Sequence, residues 1–187
     1  FSQSSAFFRN KGDGTFEDRS DVSGLGKQYC GFILVQTDYD NDGYLDLYIS
    51  RAGGFHLPKR PSLLHNNGDG TFTDVTREAG LMKPGNSPCG TWADFDNDGY
   101  LDFYLGTGDP YYYMLVPNRM FKNQNGQRFA DITTTSGTGH LQKGHGTACG
   151  DWDRDGNIDL FVEMGGAAPG DPYHNLLFQN PGQGNNW

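Results

Sequence analysis

The hydrophobic positions of this chain fall into short alternating runs. Leu45, Leu47 and Ile49 alternate with Asp46, Tyr48 and Ser50, and the same rhythm returns at Leu101, Phe103, Leu105 and at Ile158, Leu160, Val162. A period of two marks a β-strand, because successive side chains leave opposite faces. Upstream of the first run, GFILVQT (residues 31–37) is apolar and partly β-branched and predicts a buried strand. Downstream, SLLHN and TFTDV flank NGDG, whose Gly and Asn residues suit the positive φ angles of a tight hairpin turn.

This pattern repeats. DYDNDGYLD begins at Asp38, DFDNDGYLD at Asp94 and DWDRDGNID at Asp151, at intervals of 56 and 57 residues. A second marker runs in step: FFRNKGDGTFED, LLHNNGDGTFTD, MFKNQNGQRFAD and an incomplete LLFQNPGQG place Asn at 10, 66, 123 and 180. Two markers sharing one period establish a repeat. Its content is four short strands, and a four-stranded antiparallel unit of this length describes a propeller blade. The predicted fold is therefore all-β: residues 1–27 supply the last two strands of a blade, 28–84 and 85–141 are complete blades, and 142–187 form a partial one. Propellers close with about four to eight blades, so about three blades form an arc of a larger ring. The missing blades are expected from further sequence or from another subunit.

Composition agrees with short strands and adds a chemical clue. The 187 residues are only 35% hydrophobic and include 28 Gly and 9 Pro, which disfavours long helices and a large aliphatic core. No stretch approaches the roughly 18 apolar residues of a membrane span, and no basic-then-apolar leader is visible, so a soluble chain, already processed or a fragment, is expected. Of 23 acidic residues, 20 are Asp. An acidic helical surface would draw on Glu as well, since Glu is the better helix former. The net charge of −9 argues against nucleic acid as the main partner. Cys30, Cys89 and Cys149 form no CxxC pair, sit at different registers and read as buried thiols or one incidental disulfide.

The Asp residues gather in the repeated loops, each Asp-x-Asp-x-Asp-Gly-x-x-Asp. Carboxylates at positions 1, 3 and 5 of a tight turn converge, Gly at 6 permits the bend, position 7 offers its backbone carbonyl, and position 9 closes the cage. An all-oxygen set suits a hard, flexibly coordinated cation, favouring Ca²⁺ over Mg²⁺ or Zn²⁺. The candidate ligands are Asp38, Asp40, Asp42 and Asp46 with Tyr44; Asp94, Asp96, Asp98 and Asp102 with Tyr100; and Asp151, Asp153, Asp155 and Asp159 with Asn157. About three ions are expected. A polar turn alone does not need four carboxylates in nine residues, which repel at a cost on the order of 1 kcal/mol or more per pair. Position 12 is Ile49, Leu105 or Val162 where an EF-hand requires Glu, which excludes that motif. The loops carry a net −11 and the rest of the chain +2, against −9 for the whole.

These residues resemble a known family. The DxDxDGxxD loop followed by LDLYIS, with LLHNNGDGTFTDVTREAGL downstream, is similar to the FG-GAP/VCBS repeat of calcium-binding β-propellers, including the integrin-α head. The tail HNLLFQNPGQGNNW resembles the junction from the last blade into the ASPIC/UnbV domain of the cartilage acidic protein-like family. The resemblance implies an extracellular, periplasmic or cell-surface module of seven or so blades, used for adhesion or recognition, with an ASPIC/UnbV domain after Trp187 in the parent protein. The third hairpin, NQNGQRF, departs from the family's NGDGTF.

No nucleophile elbow, HExxH helix or phosphate loop is present, so an enzyme is not expected. His56, His65, His140, His145 and His174 fall at different repeat positions and read as surface or hydrogen-bonded groups. Candidate contacts for an unidentified extracellular protein or glycan lie in the connections between second and third strands: His56, Tyr111, Tyr112, Tyr113 and Tyr173. Packing of these connections against neighbouring blades is the competing reading. A secreted propeller enzyme acting on polysaccharide, or a structural subunit completed by assembly into a fibre or ring, are the alternatives from other classes.

Overall fold

A computed structural model describes residues 4–29, 31, 33–51, 60–83, 89–107, 116–141, 143–165 and 173–182. Thirteen strands occur among them, in antiparallel sheets of two, four, four and three. The first sheet pairs β1 (Phe8–Asn10) with β2 (Phe16–Asp18). The second runs β3 (Ile33–Thr37), β4 (Asp46–Ser50), β5 (Ser62–Asn66), β6 (Phe72–Asp74) in order. The third repeats this with β7 (Cys89–Ala93), β8 (Asp102–Gly106), β9 (Arg119–Asn123) and β10 (Phe129–Asp131). The fourth contains β11 (Gly144–Gly150), β12 (Asp159–Met164) and β13 (Leu176–Phe178). The second and third sheets are the antiparallel four-stranded blades that the alternating pattern predicts, and the only helical element described is a 3-10 turn, Leu25–Lys27.

The hydrophobic residues of each central strand divide between two seams. In β4, Leu47 and Ile49 join Leu25 and Leu64 against the first sheet, with Phe7 and Phe72 packed alongside. Tyr48 points the other way and meets Phe103 and Trp92 of the third sheet, with ring centroids at 4.5 and 5.9 Å. In β8, Phe103 and Leu105 look back into that seam, while Tyr104 joins Phe95 and Met120 against Leu160 and Val162 of β12. Every residue of β4 and β8 is buried. Stacking sheet on sheet thus covers both faces, and even the polar members, Asp46, Ser50 and Asp102, are enclosed.

Two hairpin features recur at the seams. The segment after the last strand of one sheet accepts a backbone hydrogen bond from the next sheet: the Phe72 N–H donates to the Ser23 carbonyl at 2.9 Å, and the Phe129 N–H to that of Ala79 at 2.8 Å. Gly80, with φ at 79°, approaches so closely that an added Cβ would lie 2.9 Å from the Phe129 carbonyl oxygen. The divergent third hairpin closes like the others, Gln124 N–H donating to Arg128 O at 2.8 Å as Lys11 does to Thr15 and Asn67 to Thr71, with Asn125 and Gly126 taking the positive φ angles.

The strand expected to be buried in 31–37 is mostly exposed. It begins at Ile33, and Ile33 and Leu34 are 36% and 54% accessible. Leu34 lies opposite Ile49, on the face turned toward the first sheet. That sheet has only two described strands, and they cover β4 and β5 rather than β3.

Candidate metal sites

Each Asp loop joins the first and second strands of its sheet, as residues 38–46, 94–102 and 151–159. The winding is set by carboxylates accepting backbone N–H groups. Asp38 accepts those of Asp42 and Gly43 at 3.1 and 3.2 Å. Asp94 accepts those of Asp98 and Gly99 at 3.0 and 2.9 Å, and Asp151 those of Asp155 and Gly156, both at 3.0 Å. The third Asp of each loop, Asp42, Asp98 or Asp155, accepts the N–H of Tyr44, Tyr100 or Asn157. Gly43, Gly99 and Gly156 have φ of 87, 90 and 90°, a conformation that any Cβ would strain. The fourth loop residue is also left-handed, at Asn41, Asn97 and Arg154, which the motif did not announce.

The last Asp of each loop opens a buried strand, and its two oxygens are divided between loop and hairpin. One oxygen of Asp46, Asp102 and Asp159 accepts the N–H of Tyr39, Phe95 and Trp152 at 3.3, 3.1 and 3.3 Å. The other accepts the N–H of Asn66, Asn123 and Asn180 at 2.8, 2.7 and 2.8 Å. The marker Asn in turn donates from its side-chain amide to the carbonyl just before that Asp, at Leu45, Leu101 and Ile158, each at 3.0 Å. The two markers of the repeat are therefore halves of one clasp. Asn123 and Asn180 extend it across a seam, to the carbonyls of Tyr39 and Phe95 in the preceding sheet, both at 2.7 Å. Asn41 adds a second bridge, its amide donating to the Gly99 carbonyl of the next loop at 2.8 Å.

The carboxylates converge. Oxygens of Asp38, Asp40 and Asp46 lie within 4.8 Å of one another, as do those of Asp94, Asp96 and Asp102 and those of Asp151, Asp153 and Asp155. Asp42 groups instead with Asp40 and His65, Asp98 lies 3.5 Å from the Lys122 ammonium, and Asp159 is held by the backbone of Trp152 and Asn180. Burial and the neighbouring Asp42 push the Asp40 carboxyl up from the ordinary carboxylate range. Burial, with Asp40 adding to it, raises Asp46 to about 6, and burial with Asp98 and Asp94 nearby raises Asp102 to about 7. Asp40 Oδ1 and Asp96 Oδ1 are buried with no hydrogen-bond partner among the described residues. Acceptor oxygens left unpaired, crowded by like charge and withdrawn from water are the condition that a divalent cation relieves. The donor set fits a hard cation.

One residue per sheet faces these loops that the motif did not include. It stands immediately before the marker Asn, at His65, Lys122 and Gln179, and contacts Asp40, Asp96 and Asp153 respectively. Its repeat position was visible in the sequence, but its chemistry differs each time. Of the proposed partner contacts, Tyr173 is exposed, while His56, Tyr111, Tyr112 and Tyr113 lie outside the described residues. Cys89 and Cys149 are not joined to each other by a disulfide, and burial raises the Cys89 thiol to about 11; Cys30 lies outside the described residues. A polar cleft apart from the loops is lined by Arg51, Arg60, Ser62, Asp74, Arg77 and Glu78. Arg51 there ties strands together, donating to the Tyr29 and Arg60 carbonyls at 2.8 and 2.7 Å.

Residues 38–105, from the first Asp loop through the second and into β8, match the FG-GAP-like repeat family. Cartilage acidic protein 1 of Xenopus tropicalis is 31% identical over 166 residues, covering 84% of this chain and 24% of that protein. Residues 38–105 are thus similar to FG-GAP-like repeats. Cartilage acidic protein 1 of Homo sapiens is 28% identical over 188 residues, covering 96% of the chain and 27% of its own length. The chain thus spans about a quarter of the curated relatives it matches. In structural terms, the matched FG-GAP-like stretch holds two Asp loops and the Asn66 clasp between them, whereas the third loop, with Arg154 and Asn157 in place of Asn and Tyr, lies beyond it.

Proposed function

We propose that this FG-GAP-like chain is a calcium-stabilised arc of an extracellular β-propeller that serves adhesion or recognition of a protein or glycan. The observation that carries the reading is the convergence of carboxylates in all three loops, two of them with a buried, unpartnered oxygen. All-oxygen donors with several carboxylates favour calcium, and extracellular calcium modules work at roughly 10⁻⁴ to 10⁻³ M. Among the described residues no helix is long and apolar enough to cross a membrane. The paired acids sit in loops whose geometry serves a cation, which supports a binding module rather than an enzyme. Further blades, from the same polypeptide or a second copy, close the ring; a native mass equal to a 20.7 kDa monomer overturns that part.

Calcium that binds only the folded loops stabilises the fold by linkage. Three sites well above their dissociation constants raise the melting temperature by on the order of 10 °C or more for a chain of this size. Differential scanning calorimetry in millimolar calcium and in excess chelator measures this. Superimposable melts overturn the calcium reading.

A further inference from the structure

The three loops share a winding but not a neighbour. At the end of the third strand in the second and third sheets, and just past it in the fourth, the residue before the marker Asn places its side chain over the loop's carboxylates. His65 brings Nδ1 to 3.2 Å from Asp40 Oδ2 and 3.3 Å from Asp46 Oδ1, and Nε2 to 3.9 Å from Asp42 Oδ2. Lys122 pairs with Asp96 and stands 3.5 Å from Asp98. The Gln179 amide donates to Asp153 Oδ2. The same register therefore carries an imidazole, a fixed positive charge and a neutral amide.

We propose that this position sets what each loop holds, so that the loops are graded rather than equivalent. The inference rests on the calcium reading above. Calcium affinity is governed by the net charge of the ligand set. The Lys122 ammonium already lies among the carboxylates of the 94–102 loop and must move before a second cation enters, so this loop fills last. Gln179 adds no charge to the 151–159 loop, and its amide can turn its carbonyl oxygen toward a cation. His65 gives the 38–46 loop a nitrogen donor, with Asp40 and Asp42 completing a group within 4.8 Å. Imidazole with two carboxylates suits a borderline ion of the zinc class, which oxygen-only loops do not favour. This loop therefore takes zinc as well as calcium.

Isothermal titration calorimetry with calcium alone and with zinc alone, on wild type and on Lys122→Gln, His65→Gln and Gln179→Lys, tests it. Wild type is expected to show calcium sites of unequal affinity, with K122Q tightening the weakest by about tenfold or more and Q179K weakening another by a similar factor. H65Q is expected to lose zinc binding by at least about tenfold while keeping its calcium sites. Thermal melts of each variant confirm folding. If wild type binds no calcium, the functional reading fails and this inference with it. If wild type binds calcium but K122Q and Q179K give its isotherm, or if zinc is not taken up or is unaffected by H65Q, only the grading is overturned.

Discussion

Tyr48, Tyr104 and Phe161 occupy one place in successive sheets, at the middle of the second strand and facing the sheet that follows. Tyr48 and Tyr104 are sealed, at 1% and 0% exposure, among rings and aliphatic chains of the next sheet. Phe161 is only partly buried, and its ring meets that of Trp152 edge-on with centroids 6.4 Å apart. Its neighbours tell the same story: Tyr39 and Leu63, or Phe95 and Met120, are buried, while the equivalent Trp152 and Leu177 are 50% and 61% exposed. A blade face is thus written the same way each time, and a following sheet turns it into core. On the outer face of the fourth sheet the same positions stay exposed or only partly buried.

The largest contrast is expected from truncating that position. Tyr104→Ala empties a packed seam and strands the Thr138 carbonyl that accepts the phenol at 3.1 Å, so a loss of about 3–5 kcal/mol is expected by urea denaturation. Phe161→Ala in the same chain is expected to cost less than about 1 kcal/mol. Equal losses would mean that the fourth sheet's outer face is covered in solution.

The clasp residues sharpen the comparison at a smaller scale. Asn123 is fully buried and bridges to Tyr39 across a seam, whereas Asn66 holds only its own sheet among the described contacts. Asn123→Ala is expected to destabilise by about 3 kcal/mol and Asn66→Ala by about 1 kcal/mol, because more buried groups lose partners at Asn123. A reversed order would remove the clasp from the seam's stability.

Below these comes a pH effect in the cation-free protein. Asp46 and Asp102 have folded values raised to about 6 and about 7 from an ordinary 3.8. The folded state then binds more protons than the unfolded one between about pH 4 and 7, so stability falls as pH rises through that window. In chelator, the melting temperature is expected to drop by a few degrees from pH 4.5 to 7.5; a rise would contradict the burial of these carboxylates. The smallest effect concerns the loop beyond the family match. Arg154 holds φ at 63°, where its repeat counterparts are Asn, so Arg154→Asn is expected to gain roughly 0.5–1 kcal/mol in calcium. Chemical denaturation resolves a change of that size, and a loss would show that the Arg154 side chain contributes more than its backbone costs.

The strand content and the loops were legible because both depend on local chemistry. Alternation at Leu45 to Ile49 can satisfy only a strand, and Asp-x-Asp-x-Asp-Gly winds through hydrogen bonds between residues at most five apart. The hairpin turns were legible for the same reason, and the altered third turn closed because Asn125 and Gly126 still supply the positive φ that closure needs. Exposure of Leu34 was not legible, since an apolar side chain does not record whether its neighbouring sheet has two strands or four. Nor was the function of the marker Asn, which draws its partners from Tyr39, Leu101 and Asp102, up to 84 residues away.

By itself, then, the sequence determined the repeat, the strands and the acidic windings, all of which are settled within one 56- or 57-residue unit. Only the tertiary structure decided that the Asn and Asp markers form one clasp, that His65, Lys122 and Gln179 face the carboxylates, and which repeat positions become core. Those outcomes depend on stacking one unit against the next, where hydrophobic burial and side-chain hydrogen bonds act between residues that no local pattern brings together.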